Sequence, residues 1–177
     1  MLYKDIKLFF ENNQDLFNKH RNINTGTNHA DNISILKQTY NIEFPYGYCF
    51  PISQFIFYYL GGYDSDYELK CIKKIPLCIN EYNFYTSHWF VQNKVTNEII
   101  DLSSEQFDKL IDINSFYPKG GRANFGFPYF SRQGKRYEKT VPSKQVIRLY
   151  REFRKTGVKS DTLEFYLKEY DNCFKKK

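Results

Sequence analysis

Gly47-Tyr48-Cys49-Phe50-Pro51-Ile52-Ser53-Gln54-Phe55-Ile56-Phe57-Tyr58-Tyr59-Leu60-Gly61-Gly62 is the stretch whose reading decides the fold. Its apolar run ends at a glycine pair, a strong helix stop, so it predicts a buried helix from Cys49 to Leu60. Pro51 fits the first helical turn, where its missing N–H has no internal partner to lose. Cys49 therefore stands at the helix N-terminus, where unpaired N–H groups and the dipole favour a thiolate.

Two further residues belong with it. Ser87-His88-Trp89-Phe90-Val91-Gln92 and Asn97-Glu98-Ile99-Ile100-Asp101 are apolar-rich runs flanking the turn-like Asn93-Lys94-Val95-Thr96. A hairpin with Gln92 opposite Asn97 puts His88 directly across from Asp101. A carboxylate beside an imidazole fixes its tautomer and favours the imidazolium, which in turn stabilises a neighbouring thiolate. Cys49, His88 and Asp101 thus read as a nucleophile, a base and its orienting acid.

The order and spacing, 39 residues from Cys49 to His88 and 13 from His88 to Asp101, resemble the transglutaminase-like core of the papain-like superfamily. In that core a cysteine at a helix start faces a strand histidine and an aspartate on the next strand. Four segments also resemble small proteins found mainly in bacteriophages and bacteria. They are Gly47-Tyr48-Cys49, Ser87-His88-Trp89-Phe90, Ile100-Asp101-Leu102-Ser103-Ser104-Glu105-Gln106-Phe107 and Pro142-Ser143-Lys144. Those relatives are expected to carry Gly-His-Cys where this chain has Tyr48 in the middle. The resemblance covers about residues 44–150. It implies a papain-like or transglutaminase-like α+β fold and a cysteine-dependent acyl-group reaction, without specifying a substrate.

The 177 residues suit one domain spanning 1–177, with 41% apolar residues, 17 Phe and 16 Tyr to fill an aromatic core. Residue usage rich in Lys, Asn, Ile, Tyr and Phe fits an AT-rich genome and is discounted as a functional signal. The N-terminus reads as an amphipathic stretch, not a secretory leader, and the run from Phe50 to Leu60 is too short to span a bilayer. The expected setting is cytoplasmic, the host cytoplasm for a phage protein, with no membrane contact. Cysteines at 49, 71, 78 and 173 make no disulfide-scaffold pattern, so a reducing compartment is expected, with Cys71 and Cys78 as strand-core thiols. No Cys-x-x-Cys occurs, and His20 and His29 lack nearby ligand partners, so no metal is expected.

Apolar spacing through Ile6, Phe9, Phe10 and Phe17 predicts a helix over 3–19. A short helix capped by Asp31 or Asn32 follows, then the Cys49 helix. Strands are expected at 69–75, 84–92 and 97–102, a capped helix from Ser103 toward Ile111, a loop to Thr140, and helices over about 143–156 and 160–170. Helical layers beside an antiparallel meander make an α+β domain.

Tyr117-Pro118-Lys119-Gly120-Gly121-Arg122-Ala123-Asn124-Phe125-Gly126 is open to two readings, a flexible loop or a cover over Cys49 with Arg122 holding a carboxylate or phosphate. Charge is also uneven: residues 1–112 carry a net −4 and residues 113–177 a net +10. Lys144, Arg148, Arg151, Arg154 and Lys155 surround an apolar stripe of Val146, Leu149, Tyr150 and Phe153, giving a solvated basic helix or a face for an acidic partner or nucleic acid. An acyl-transfer site also needs oxyanion donors. The Cys49 backbone N–H is one candidate; Tyr46, Tyr48 and Gln106 are open alternatives for the second.

The expected function is a cysteine-dependent enzyme acting on an amide or peptide bond as peptidase, amidase, deamidase or transglutaminase. Cys49, His88 and Asp101 are catalytic, with Tyr48, Trp89, Gln106 and Arg122 toward a protein or peptide substrate. No cofactor is required. The alternative is an inactive papain-like scaffold that binds a partner through its basic C-terminal surface.

Overall fold

The computed structural model describes residues 2–18, 45, 47–79, 82–108, 110–117 and 141–175. It is an α+β arrangement: helices and one three-stranded antiparallel sheet of order β1-β2-β3. The helices are α1 (Leu2–Asn12), α2 (Asp15–Asn18), α3 (Cys49–Tyr59), α4 (Lys144–Phe153) and α5 (Asp161–Lys175); the strands are β1 (Tyr67–Ile79), β2 (Tyr82–Asn93) and β3 (Ile99–Ile100).

The expected N-terminal helix is broken in two. The Asn13 side-chain amide donates to the Phe9 carbonyl at 2.8 Å. That back-bond competes with the helical ladder, so α1 stops and the short α2 restarts beyond it. The break turns Phe17 onto Phe10 and Tyr48, with ring centroids 5.5 and 5.1 Å apart.

Helix α3 runs from Cys49 as read from the sequence, and nine of its residues are buried. Phe55, with no exposed surface, meets Phe10 and Phe153 edge-on at 5.1 and 5.5 Å. The polar residues of α3 are satisfied as burial requires. Ser53 Oγ donates to the Trp89 carbonyl at 2.8 Å, and Gln54 Oε1 accepts from the Ser143 N–H at 3.0 Å. Ser143 in turn caps α4, its hydroxyl accepting from Val146 N–H, so one glutamine ties α3 to the start of α4.

The hairpin strands β1 and β2 are longer than expected and β3 is shorter. Two β1 residues, Lys73 and Lys74, stand opposite Ser87 alone, because the register jumps between Ile72–His88 and Ile75–Thr86. Lys74 takes a left-handed φ of 57° there. This bulge lets Ile72, Ile75 and Leu77 share one sheet face despite their odd spacing. That face is covered by Phe107 and Ile113, while Val91 and Ile100 on the other face join α3 in the main core. Cys71 is buried as expected, but Cys78 is exposed. It lies near Tyr85 (73% exposed), toward the hairpin tip, where that face is uncovered.

The Ser103 helix becomes two 3₁₀ turns, Ser104–Phe107 and Ile113–Phe116. Ser103 makes no side-chain cap bond; its hydroxyl is turned toward Asp101, to which it donates. At the C-terminus, α4 ends in a 3₁₀ turn at Arg154–Thr156, and α5 extends to Lys175, beyond its expected end. The expected helix over 31–40 and the glycine-rich segment from Pro118 lie outside the described residues.

Truncating Phe55 tests whether α3 anchors the domain. Phe55→Ala is expected to cost about 3–5 kcal/mol in urea unfolding. A loss below about 1 kcal/mol would mean the core is organised elsewhere.

Candidate active site

The hairpin register decides which side chains meet. Asn93 closes the turn: its Oδ1 accepts from the N–H groups of Val95 and Thr96 at 2.8 and 2.9 Å. Asn97 adopts a left-handed φ of 62°, a conformation asparagine tolerates better than most residues. Asn93 N–H then reaches the Glu98 carbonyl at 2.9 Å. Gln92 consequently pairs with Ile99 and Val91 with Ile100, two residues away from the expected Gln92–Asn97 register. His88 and Asp101 are therefore diagonal neighbours instead of a directly opposed pair. A slip of two keeps both on one face, since strand side chains alternate with period two, and they still meet.

His88 is completely buried. Its Nε2 bonds Asp101 Oδ2, and Cys49 lies close enough to raise its proton affinity. With Nε2 engaged, the remaining nitrogen, Nδ1, faces the Gln106 amide at 3.1 Å. Cys49 itself keeps 8% of its surface exposed. The pieces converge because β3 pairs with β2 only at Val91 and Gln92. The flank of β2 at His88 is thus left to the chain following Asp101. Phe107 closes that side, its ring edge-on to the imidazole at 4.8 Å.

Asp101 is held by every side of this turn. Its side chain is 5% exposed. Oδ1 accepts from Ser103 N–H at 2.9 Å and Ser103 Oγ at 3.0 Å. Oδ2 accepts from the Tyr117 hydroxyl as well as from His88. Burial works to raise its pKa, yet the His88 hydrogen bond and charge, with Tyr117 and Ser103, hold it below the ordinary carboxyl value. Burial likewise works to lower His88, but hydrogen bonds and negative charge from Asp101 and Cys49 prevail and push it up to about 9. Tyr117 is raised by burial and by the Asp101 charge, so it remains a donor.

Of the residues read toward a substrate, Gln106 reaches the site. Its Nε2 lies 3.1 Å from His88 Nδ1 and donates to the Ser103 carbonyl at 2.9 Å. Tyr48 is buried with its ring against Phe17. Trp89 points to the opposite sheet face from His88 and packs on Phe50 at 4.9 Å. Tyr46, Arg122, His20 and His29 lie outside the described residues. Tyr117 and Ser103 were missed as partners of Asp101. Tyr117 carried no signal beyond an aromatic hydroxyl beside the glycine-rich segment.

The other cysteine of the core, Cys71, sits on the α3 side of the sheet with its thiol pushed up to about 11 by burial and by the negative charge of Cys49. It is a poor nucleophile. The basic end of α4 and the 3₁₀ turn after it are answered by acids: Arg151 pairs with Asp171, Arg154 with Glu164 at 3.4 Å, and Lys155 with Glu152 at 2.6 Å. Among the described residues no group of three His, Cys, Asp or Glu side chains is arranged to hold a metal. No described helix is long and apolar enough to cross a membrane.

The Asp101 carboxylate gives a pH-dependent test. Because its folded-state pKa is depressed, its stabilisation is complete above the unfolded value of about 4 and lost as pH falls through the folded value. Tyr117→Phe removes one donor and is expected to cost about 1.5 kcal/mol at pH 7. That deficit should shrink as pH falls through the folded-state value and the carboxyl protonates. A deficit that stays constant down the whole acid limb to acid unfolding, read from urea unfolding, would reduce Tyr117 to a packing residue.

Compared with family models, curated proteins and solved structures, the chain matches none of them.

Proposed function

We propose that this chain is a cysteine-dependent acyl-group enzyme with a papain-like or transglutaminase-like core, acting on an amide or peptide bond. The supporting observation is His88: fully buried, bonded through Nε2 to a carboxylate, and near enough to a cysteine at a helix start for that group to raise its proton affinity.

In this reading the Cys49 sulfur attacks an acyl carbon while its proton passes to His88 Nδ1. Asp101 keeps hold of Nε2–H and offsets the positive charge that develops on the ring. The proton then goes to the departing amine as the C–N bond breaks, leaving a thioester on Cys49. Water or an amine attacks that thioester, His88 takes the incoming proton, and the thiol is regenerated. Hydrolysis and transfer share every residue named here and differ only in the acceptor. No cofactor enters the scheme. The competing reading, a non-catalytic scaffold binding an acidic partner or nucleic acid through α4, has less support because Arg151, Arg154 and Lys155 are already paired with carboxylates.

Iodoacetamide labelling resolved by mass spectrometry tests the proposal. Cys49 is expected to react faster at neutral pH than the exposed Cys78 and Cys173, and to lose that advantage in His88→Ala; Cys71 should stay unmodified in the folded protein. On a working substrate, Cys49→Ala should abolish turnover and His88→Ala reduce it by about 10²–10⁴. A Cys49 that labels no faster than Cys173 and ignores His88→Ala would remove the mechanism.

A further inference from the structure

Gln106 carries more of the site than its sequence position suggests. Its two amide ends are fixed by unlike partners: Oε1 accepts from the Gly47 N–H at 3.3 Å, and Nε2 donates to the Ser103 carbonyl at 2.9 Å. Only the carbonyl end can accept from an N–H, and only the NH₂ end can donate to a carbonyl, which settles the orientation of the amide. The second hydrogen on Nε2 therefore faces His88 Nδ1 at 3.1 Å. A donor there requires Nδ1 to carry a lone pair, leaving the ring proton on Nε2 toward Asp101. Gln106 is 8% exposed, so water offers little substitute for these bonds.

We propose that Gln106 is a positioning residue that regulates the site: its amide holds His88 Nδ1 as a proton acceptor and must yield before the Cys49 proton can settle there. This rests on reading Cys49 and His88 as nucleophile and base. In the step itself the Cys49 S–H bond breaks and an Nδ1–H bond forms. Gln106 gives up its N–H···N bond and keeps the Ser103 carbonyl, while Nε2–H stays with Asp101. A protonated Nδ1 has no lone pair to accept the Gln106 N–H, so this contact belongs to the neutral ring and opposes the imidazolium that Asp101 favours. The same amide ties the imidazole to Gly47, two residues before the nucleophile, and so sets how the helix start and the base face each other. An acyl substrate whose carbonyl oxygen draws that freed N–H away releases Nδ1 to receive the proton.

The groups that act on His88 are Asp101 and Cys49 directly, Tyr117 through Asp101, and Cys71 through Cys49. The experiment must hold these constant while changing Gln106. In ¹⁵N-labelled wild type, a through-hydrogen-bond coupling between Gln106 Nε2 and His88 Nδ1 is expected while the ring is neutral, and should vanish as it protonates. In Gln106→Met, which keeps length but has no donor, the proton affinity of His88 should rise roughly three- to tenfold. Absence of the coupling in a neutral ring overturns the proposal, as does a His88 titration in folded Gln106→Met at or below that of wild type. Should Gln106→Met not fold, the wild-type coupling decides alone. Iodoacetamide labelling of Cys49 in the wild type, set beside both measurements, separates the two ideas. A persistent Gln106 effect beside an inert Cys49 removes the enzymatic reading only, whereas a reactive Cys49 with no coupling removes the Gln106 role only.

Discussion

A helix buried on all sides has no face to give to water, and that constraint on α3 organises the rest of the chain. Layers must close on it from both directions: the sheet through Val91 and Ile100, and the helices through Phe10, Tyr150 and Phe153. Its two mid-helix polar residues reinforce the enclosure, because each must find a partner on a different layer. Ser53 selects the backbone of β2 and Gln54 the N-cap of α4. Once α3 is locked against β2, the position of Cys49 relative to His88 follows from rigid elements, not from loop geometry. A reactive pair gains most from such support, since small displacements are costly to proton transfer.

The second organising element is the Asp101 carboxylate. A buried negative charge is tolerable only when its lone pairs are filled, and here His88, Tyr117 and both donors of Ser103 fill them. The turn following β3 is shaped by this demand. Ser103 turns its hydroxyl to the carboxylate and makes no cap bond, and the chain continues in 3₁₀ turns that bring Phe107, Gln106 and finally Tyr117 around the imidazole.

Parts of this were legible in the sequence for identifiable reasons. The start of α3 was readable because Pro51 and the glycine pair bracket an apolar run, and the meeting of His88 with Asp101 was readable because strand alternation survives an even register error. The exact pairing was not, since it depends on Asn93 and Asn97 closing the turn one residue later than composition indicates. Ser103 misled because a serine three residues before Gln106 satisfies a capping pattern, and nothing local reveals that its hydroxyl turns toward a buried carboxylate and makes no cap bond. The exposure of Cys78 escaped for a different reason: alternation assigns a face but not where the layer covering it ends. The bulge at Lys73–Lys74 was equally hidden, although the spacing of Ile72, Ile75 and Leu77 fits neither strict alternation nor a helix and so carried its trace.

Ser160 has a bearing on the order in which the molecule is assembled. Its hydroxyl lies 3.4 and 3.1 Å from the Tyr58 and Tyr59 carbonyls at the end of α3, and 3.4 Å from Leu163 N–H at the start of α5. One side chain thus joins the exit of one helix to the entry of another, across separations of 102 and 101 residues. During synthesis from the N-terminus, α3 emerges long before the hydroxyl that meets its last carbonyls. The nascent chain holds its cysteine, histidine and aspartate for many elongation cycles without that clasp, and the finished enclosure of α3 awaits the emergence of Ser160.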